Sequence, residues 1–187
     1  MQPGSTKGLR IPVQPTQTDR LARHPEWVAT LARWHFDQWG LLTGTDTVEQ
    51  YRFVLEEYSR GATIPCVLVA FAAEDLLGSV SLVPCDMEIR ADRTPWLAQL
   101  FVAPSHRRQG TGAALVNAAL SHARQCGFQH LHLYTSGSLP DFYERLGWVI
   151  DERVSYLGKE RTIMHYDLVP EAENPSSSLC LPSRGPG

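Results

Sequence analysis

The chain has 187 residues, 43% hydrophobic and 20% charged, which is enough apolar material for one compact domain, leaves no room for a second, and excludes a natively disordered chain. Lys and Arg number 17 against 20 Asp and Glu, a net charge of −3, so there is no overall positive field to attract a nucleic-acid backbone and no nucleic-acid partner is expected. The longest apolar run, Cys66 to Ala73, is far short of the roughly 20 residues that cross a bilayer, and Met1 to Val13 lacks a stretch of signal-peptide length, so a cytoplasmic protein with no membrane partner is expected.

Leu9 to Val13 reads as a first strand, followed by a polar stretch. Pro25-Glu26-Trp27 fits a helix start, and Val28, Leu31, Trp34, Phe36 and Trp39 then recur mostly at three- and four-residue steps, predicting a helix that stops at Gly40. A second helix is expected from Thr47 to Tyr58 with Gly61 closing it. Cys66 to Ala72 and Leu77 to Val83 read as a β-hairpin turning at Ala73 to Asp75, followed by an irregular loop from Pro84 to Pro95. Trp96 to Val102 is a strand, and Gly112 to Cys126 a long helix with Leu115, Ala119, Leu120, Ala123 and Cys126 on its apolar stripe. Strands at His130 to Tyr134, Trp148 to Glu152 and Thr162 to Leu168, with a short helix at Pro140 to Leu146, complete a β-α-α-β-β-β-α-β-α-β-β order. That order predicts an α/β fold, a mixed sheet with helices on its faces, in one domain over 1–169. Residues 170–187, rich in Pro, Ser and Gly, read as a flexible tail. Cys66, Cys85, Cys126 and Cys180 include no C-x-x-C pair and read as reduced, mostly buried thiols without a metal.

The informative motif is Arg107-Arg108-Gln109-Gly110-Thr111-Gly112, between an apolar strand and a long helix. Two glycines let the chain curl with its N–H groups inward, and the helix adds its positive end, which suits a diphosphate. Ala113 and Ala114 after Gly112 exclude a P-loop, and Leu115 stands where a dinucleotide fingerprint needs its third glycine.

This loop, the strand Leu100 to Pro104 before it, and Asp141-Phe142-Tyr143-Glu144-Arg145-Leu146-Gly147-Trp148 after it resemble the GNAT superfamily of acyl-CoA-dependent N-acetyltransferases. The loop matches that family's Q/R-x-x-G-x-G/A motif, and the later segment resembles its F-Y-x-x-L-G-F/W signature. The resemblance implies a mostly antiparallel sheet splayed between the strand at Trp96 to Val102 and the one beginning near His130. It also implies acetyl-CoA as co-substrate and direct attack by an amine. Backbone N–H groups of Arg108, Gln109, Gly110, Thr111, Gly112 and Ala113 would hold the diphosphate, with Arg107 at the motif's Q/R position and the Arg108 side chain available to a nearby phosphate. The pantetheine arm would lie along Leu100, Phe101 and Val102, and Ser136 stands where many relatives carry an asparagine that binds that arm. Tyr143 matches the tyrosine that serves the departing thiolate.

An acetyl transfer needs a base for the amine, stabilisation of the carbonyl oxygen and a proton donor for the thiolate. Asp86 is the first candidate for the base, Glu88 lies close by, and Gln99 could orient a water. His132 and His165 in strands read as structural. Acidic Asp37, Glu49, Glu56, Glu57, Asp86 and Glu88, with aromatics of the first helix, suggest a small cationic amine as acceptor. Acetylation of a protein N-terminus or lysine is an alternative, since His130 to Trp148 also resembles the enzymes that acetylate the actin N-terminus. A silent CoA-binding sensor on the same fold is another alternative. The family also implies homodimers as a frequent arrangement.

Overall fold

The computed structural model describes residues 15–44 and 47–168; the expected strand at Leu9 to Val13, the tail and Cys180 lie outside the described residues. The elements are β1 (Gln17–Arg20), α1 (Val28–Thr43), α2 (Val48–Arg60), β2 (Cys66–Ala72), β3 (Asp75–Val83), β4 (Trp96–Val102), α3 (Thr111–Gln125), β5 (His130–Thr135), α4 (Pro140–Glu144), β6 (Val149–Tyr156) and β7 (Lys159–Asp167). They form one seven-stranded sheet in the order β1-β2-β3-β4-β5-β7-β6. Every neighbouring pair is antiparallel except β4 and β5, so the α/β architecture matches the expectation.

Strand β2 explains the layering. Its unbroken apolar run sends Cys66, Leu68 and Ala70 toward α3, where they pack with Leu115, Val116, Ala119 and Leu120. The alternate residues Val67 and Val69 meet Leu31 and Ala32 of α1 and Tyr51 and Leu55 of α2. A strand buried on both faces needs apolar residues at every position, which is what the sequence supplies. Thus α1 and α2 cover one face, α3 and α4 the other.

Several features differ from the sequence expectation: β3 starts already at Asp75, β6 runs on to Tyr156 and β7 starts at Lys159. Strand β1 falls in Gln17-Thr18-Asp19-Arg20, a stretch too polar to announce a strand; it is an edge strand held by its ladder with β2. Helix α1 passes through Gly40 and ends at Gly44, which takes the left-handed φ of +66° and donates its N–H to the Gly40 carbonyl. Cys126 is not core: it follows the last turn of α3, half-buried, with Sγ 3.7 Å from His122 Nε2. Cys85 is exposed and Cys66 buried, so of the three described thiols only one behaves as a core residue.

Gly78 marks the closest approach in the sheet. A Cβ there would lie 2.3 Å from the Phe101 carbonyl oxygen of β4 and 3.1 Å from Val102 Cα, contacts that backbone cannot relieve. Gly78→Ala is therefore expected to destabilise the protein by about 2 to 3 kcal/mol, as overpacking does, lowering Tm by roughly 5 to 10 °C in calorimetry. Among the described residues no helix is long and apolar enough to cross a membrane.

Candidate active site

Loop Arg107 to Gly112 joins β4 to α3. Arg108 has a φ of +61° and Gly110 one of +88°, and left-handed residues alternating with ordinary ones turn successive N–H groups toward one centre. The first bond of α3 runs from Ala114 N to the Gly110 carbonyl at 3.0 Å, so the N–H groups of Thr111, Gly112 and Ala113 precede the helical ladder and meet its positive end. Side chains of the loop turn back to brace it. Arg107 Nε donates to the Val102 carbonyl at 3.0 Å, Gln109 Nε2 to the Ser105 carbonyl at 3.0 Å, and Thr111 Oγ1 to the His106 carbonyl at 3.4 Å. A Cβ on Gly112 would sit 3.5 Å from Phe142 Cζ of α4 and 3.8 Å from Val102 Cγ2 of β4, which places this glycine where α3, β4 and α4 converge.

Beside the loop the sheet opens. Strands β4 and β5 pair only at Trp96 and His132, where His132 N donates to the Pro95 carbonyl at 3.0 Å; from Leu97 to Val102, β4 has no ladder partner on the β5 side. On its other side the register slips, Ser79 facing Phe101 and Ser81 facing Ala98, which puts one extra residue in β4 and gives Gln99 a φ of +50°. Gln99 Oε1 accepts from Ser81 Oγ at 3.2 Å, and the neighbouring Ser79 Oγ is 2.9 Å from His35 Nε2. His35 is fully buried, and burial pulls its pKa down to about 4, so the imidazole is neutral near pH 7. Its place on the α1 stripe, four residues after Leu31, is a core signal, and the serine partner across the sheet has none.

Tyr143 and Asp86 flank the opening from opposite faces. Tyr143 is buried at 6% exposure among Leu115, Leu133 and Trp148 on the α3 side, and burial pushes its pKa up to about 12. Asp86 lies on the other face. Its successor Met87 is packed against Trp96, Ala98 and Ile163. Burial raises the phenols of Tyr58 of α2 and Tyr134 of β5, and the Asp86 carboxylate raises both further. Burial raises Asp86 itself to about 7. Glu88 is exposed in the same loop. Ser136 accepts from Arg161 Nη1 at 3.3 Å and lines a polar cavity of about 260 Å³ with Pro140, Asp141, Glu144 and Arg153. Leu100 and Val102 pack toward α3, whereas Phe101 is covered on the α1 side by Trp34 and Trp39, ring centroids 5.3 and 6.1 Å away.

On the Asp86 side a cavity of about 620 Å³ is lined by Gly44, Glu49, Gln50, Tyr51, Phe53, Val54 and Gln99. Of the acidic residues expected to face an acceptor, Glu56 and Glu57 are paired with Arg52 and Arg60 of their own helix; Glu49 lines the cavity. His165 binds Asp151 through Nδ1 at 2.6 Å, and the His132 ring lies tilted against Trp96, centroids 5.7 Å apart, where β4 and β5 pair. Among the described residues no group of three His, Cys, Asp or Glu side chains could hold a metal ion.

The model of the acetyltransferase (GNAT) family matches residues 28–148. Human N-acetyltransferase 8 is 37% identical over 70 residues, 37% of this chain and 31% of that protein, and human N-acetyltransferase 8B 34% identical over 86 residues, 44% and 38%. The chain thus matches only about a third of the length of these curated relatives. Among solved structures, an aminoglycoside 6′-N-acetyltransferase complexed with coenzyme A aligns with a TM-score of 0.65 at 17% identity, covering 84% of this chain and 99% of the other. A spermidine/spermine N-acetyltransferase of Vibrio cholerae aligns at 0.61 and 17%, covering 82% and 95%. A GNAT-family acetyltransferase of Streptococcus pneumoniae aligns at 0.62 and 17%, covering 83% and 100%. At these identities the likeness is one of fold.

Proposed function

The chain belongs to the acetyltransferase (GNAT) family, and from that premise we propose that it transfers an acetyl group from acetyl-CoA to a primary amine of a small cationic molecule. The observation that carries this reading is the convergence on one opening in the sheet of an inward-curled anion loop, an unpaired stretch of β4 and two titratable groups on opposite faces. The N–H groups of Arg108 to Ala113 fit a diphosphate, since Gly110 supplies the positive φ and no side chain fills the curl. Arg107 and Gln109 brace the loop, and Arg108 is free to meet a phosphate. The unpaired edge of β4 at Leu100, Phe101 and Val102 offers backbone amides and carbonyls to a pantetheine arm.

Bound acetyl-CoA supplies an acetyl group activated as a thioester. Asp86, half-buried with a pKa of about 7, accepts a proton from the incoming ammonium on the α2 face. The β4 backbone N–H groups freed by the bulge at Gln99 donate to the carbonyl oxygen as it gains charge. Tyr143 donates to the departing sulfur from the α3 face. Proton removal and leaving-group stabilisation are thereby kept on separate sides of the sheet, so neither group quenches the other. The neutral His35–Ser79 pair and Ser81 hold the bulge from below.

A cationic acceptor is supported by Asp86 and Glu49 on the acceptor side, and two fold neighbours are named for polycations, an aminoglycoside and spermidine/spermine. Release of CoA thiol over a panel of polyamines, aminoglycosides and peptide N-termini tests the assignment; turnover of the small amines supports it, and turnover of peptides alone, or of nothing, overturns it. The pH profile gives a second prediction. A base works when deprotonated, so kcat/KM rises with pH and includes a step at about 7 from Asp86. Asp86→Asn is expected to cost about a hundredfold in kcat and to erase that step, leaving the titration of the amine itself.

A further inference from the structure

The loop that carries Asp86 is gripped by charged groups that the transfer itself does not use. Arg90 donates from Nε and Nη2 to the two carboxylate oxygens of Glu152 at 2.8 and 2.6 Å. Arg93 donates from Nη1 to Asp151 at 2.9 Å and from Nη2 to Glu152 at 2.8 Å. The partners are 58 to 62 residues apart in sequence, so the contacts tie the 84–95 loop to β6 at the far edge of the sheet. Strand β6 is shaped for this. Its register against β7 slips between Ile150 and Glu152, and a bulge lets two successive side chains, Asp151 and Glu152, reach the same loop. Asp151 is further held by His165 Nδ1 at 2.6 Å. From below, Met87 is fully buried, and Trp96 Nε1 donates to the Arg93 carbonyl at 2.7 Å.

We infer that Arg90, Arg93, Asp151 and Glu152 are positioning residues that pin the 84–95 loop to β6 and so hold Asp86 at the β4–β5 opening; this rests on the reading of Asp86 as the base. These side chains are 23 to 29% exposed, where ion pairs contribute little to stability but two-pronged guanidinium contacts fix orientation well. Breaking the clamp therefore costs geometry before it costs the fold. Asp86 is faced by Tyr58 from α2 and Tyr134 from β5, and Tyr134 in turn by Arg161 and Tyr156 of β7 and β6. The clamp is faced by Asp92 of its own loop, by His132 of β5 and by His165 of β7. Near pH 7 the Arg90 hydrogen bonds hold Glu152 below the usual carboxylate range, so it stays charged while Asp86 titrates.

Two variants of the full chain test this: Glu152→Gln, which removes the charged acceptor of both arginines, and Arg90→Lys, which keeps the charge and loses the fork. The Asp86 carboxyl is followed by carbon-13 NMR, which needs neither amine nor acetyl-CoA, beside kcat, KM, acetyl-CoA affinity and melting. In both variants the Asp86 midpoint is expected to move about one pH unit toward the ordinary carboxylate value as the loop loosens and admits water, with kcat/KM for the amine down about tenfold. Acetyl-CoA affinity and cooperative melting stay near wild type. An unmoved Asp86 midpoint with unchanged kcat/KM overturns the inference, as does a loss of activity matched by loss of acetyl-CoA affinity and melting in both variants. Should Asp86→Asn retain full activity, the base assignment falls, while the NMR midpoints still decide whether the clamp positions the loop.

Discussion

Gly112→Asp is expected to lose at least about a hundredfold in acetyl-CoA affinity, while Gly112→Asn and Gly112→Ala keep most of it. The added Cβ meets Phe142 and Val102 at 3.5 and 3.8 Å, ordinary contact distances, so size is not the cause. Charge is. A carboxylate about 4 Å from a phosphate is worth roughly 4 kcal/mol of repulsion at an effective dielectric near 20, ample for a hundredfold loss. The same carboxylate in the first turn of α3 favours the helix through its dipole, so the variant stays folded. Titration calorimetry on the three variants checks this; equal binding by Gly112→Asp would remove the diphosphate from the Arg107 to Gly112 loop.

Tyr143→Phe is expected to lower kcat by about a hundredfold with acetyl-CoA affinity unchanged. The ring's packing against Phe142 and Trp148, centroids 4.9 and 5.8 Å away, is retained by phenylalanine, so only the hydroxyl is lost. Burial that raises the phenol to about 12 keeps it protonated over the working range. Tyr143 is thus an O–H donor at every practical pH, and its value to a sulfur leaving with a thiol pKa near ~8.5 is chiefly a hydrogen bond to the forming thiolate. The variant's pH profile should therefore keep the wild-type shape at a lower height. Steady-state rates from pH 6 to 10 decide it, and undiminished kcat across that range would strip Tyr143 of its role.

Much of the proposed site is local in sequence and legible there as a candidate. The anion loop needs only glycines at fixed offsets and a helix behind them, and Tyr143 sits in a short contiguous signature. The helices announce themselves by spacing, and Thr47 caps α2 through its bond from Gln50 N at 3.2 Å. What the sequence hides is long-range or depends on tertiary context. Gln17 to Arg20 forms a strand because β2 offers an edge, and nothing in its composition favours it. Gly40 lies inside α1 because packing outweighs the modest helix penalty of one glycine. The bulge at Gln99 is a property of two strands in register, and the Arg90–Glu152 pairing spans 62 residues. Asp86 is marked in the sequence by its position in the loop, yet the pKa of about 7 that suits it to a base comes from burial, with the adjoining Met87 packed against Trp96, Ala98 and Ile163.

The central claim is that this sheet opening takes acetyl-CoA, and calorimetric titration of the full chain with acetyl-CoA, with ATP and NAD as controls, tests it most directly. The account predicts one site of micromolar affinity for acetyl-CoA and no comparable heat from ATP or NAD. Absence of binding, or equal binding of all three nucleotides, would contradict it.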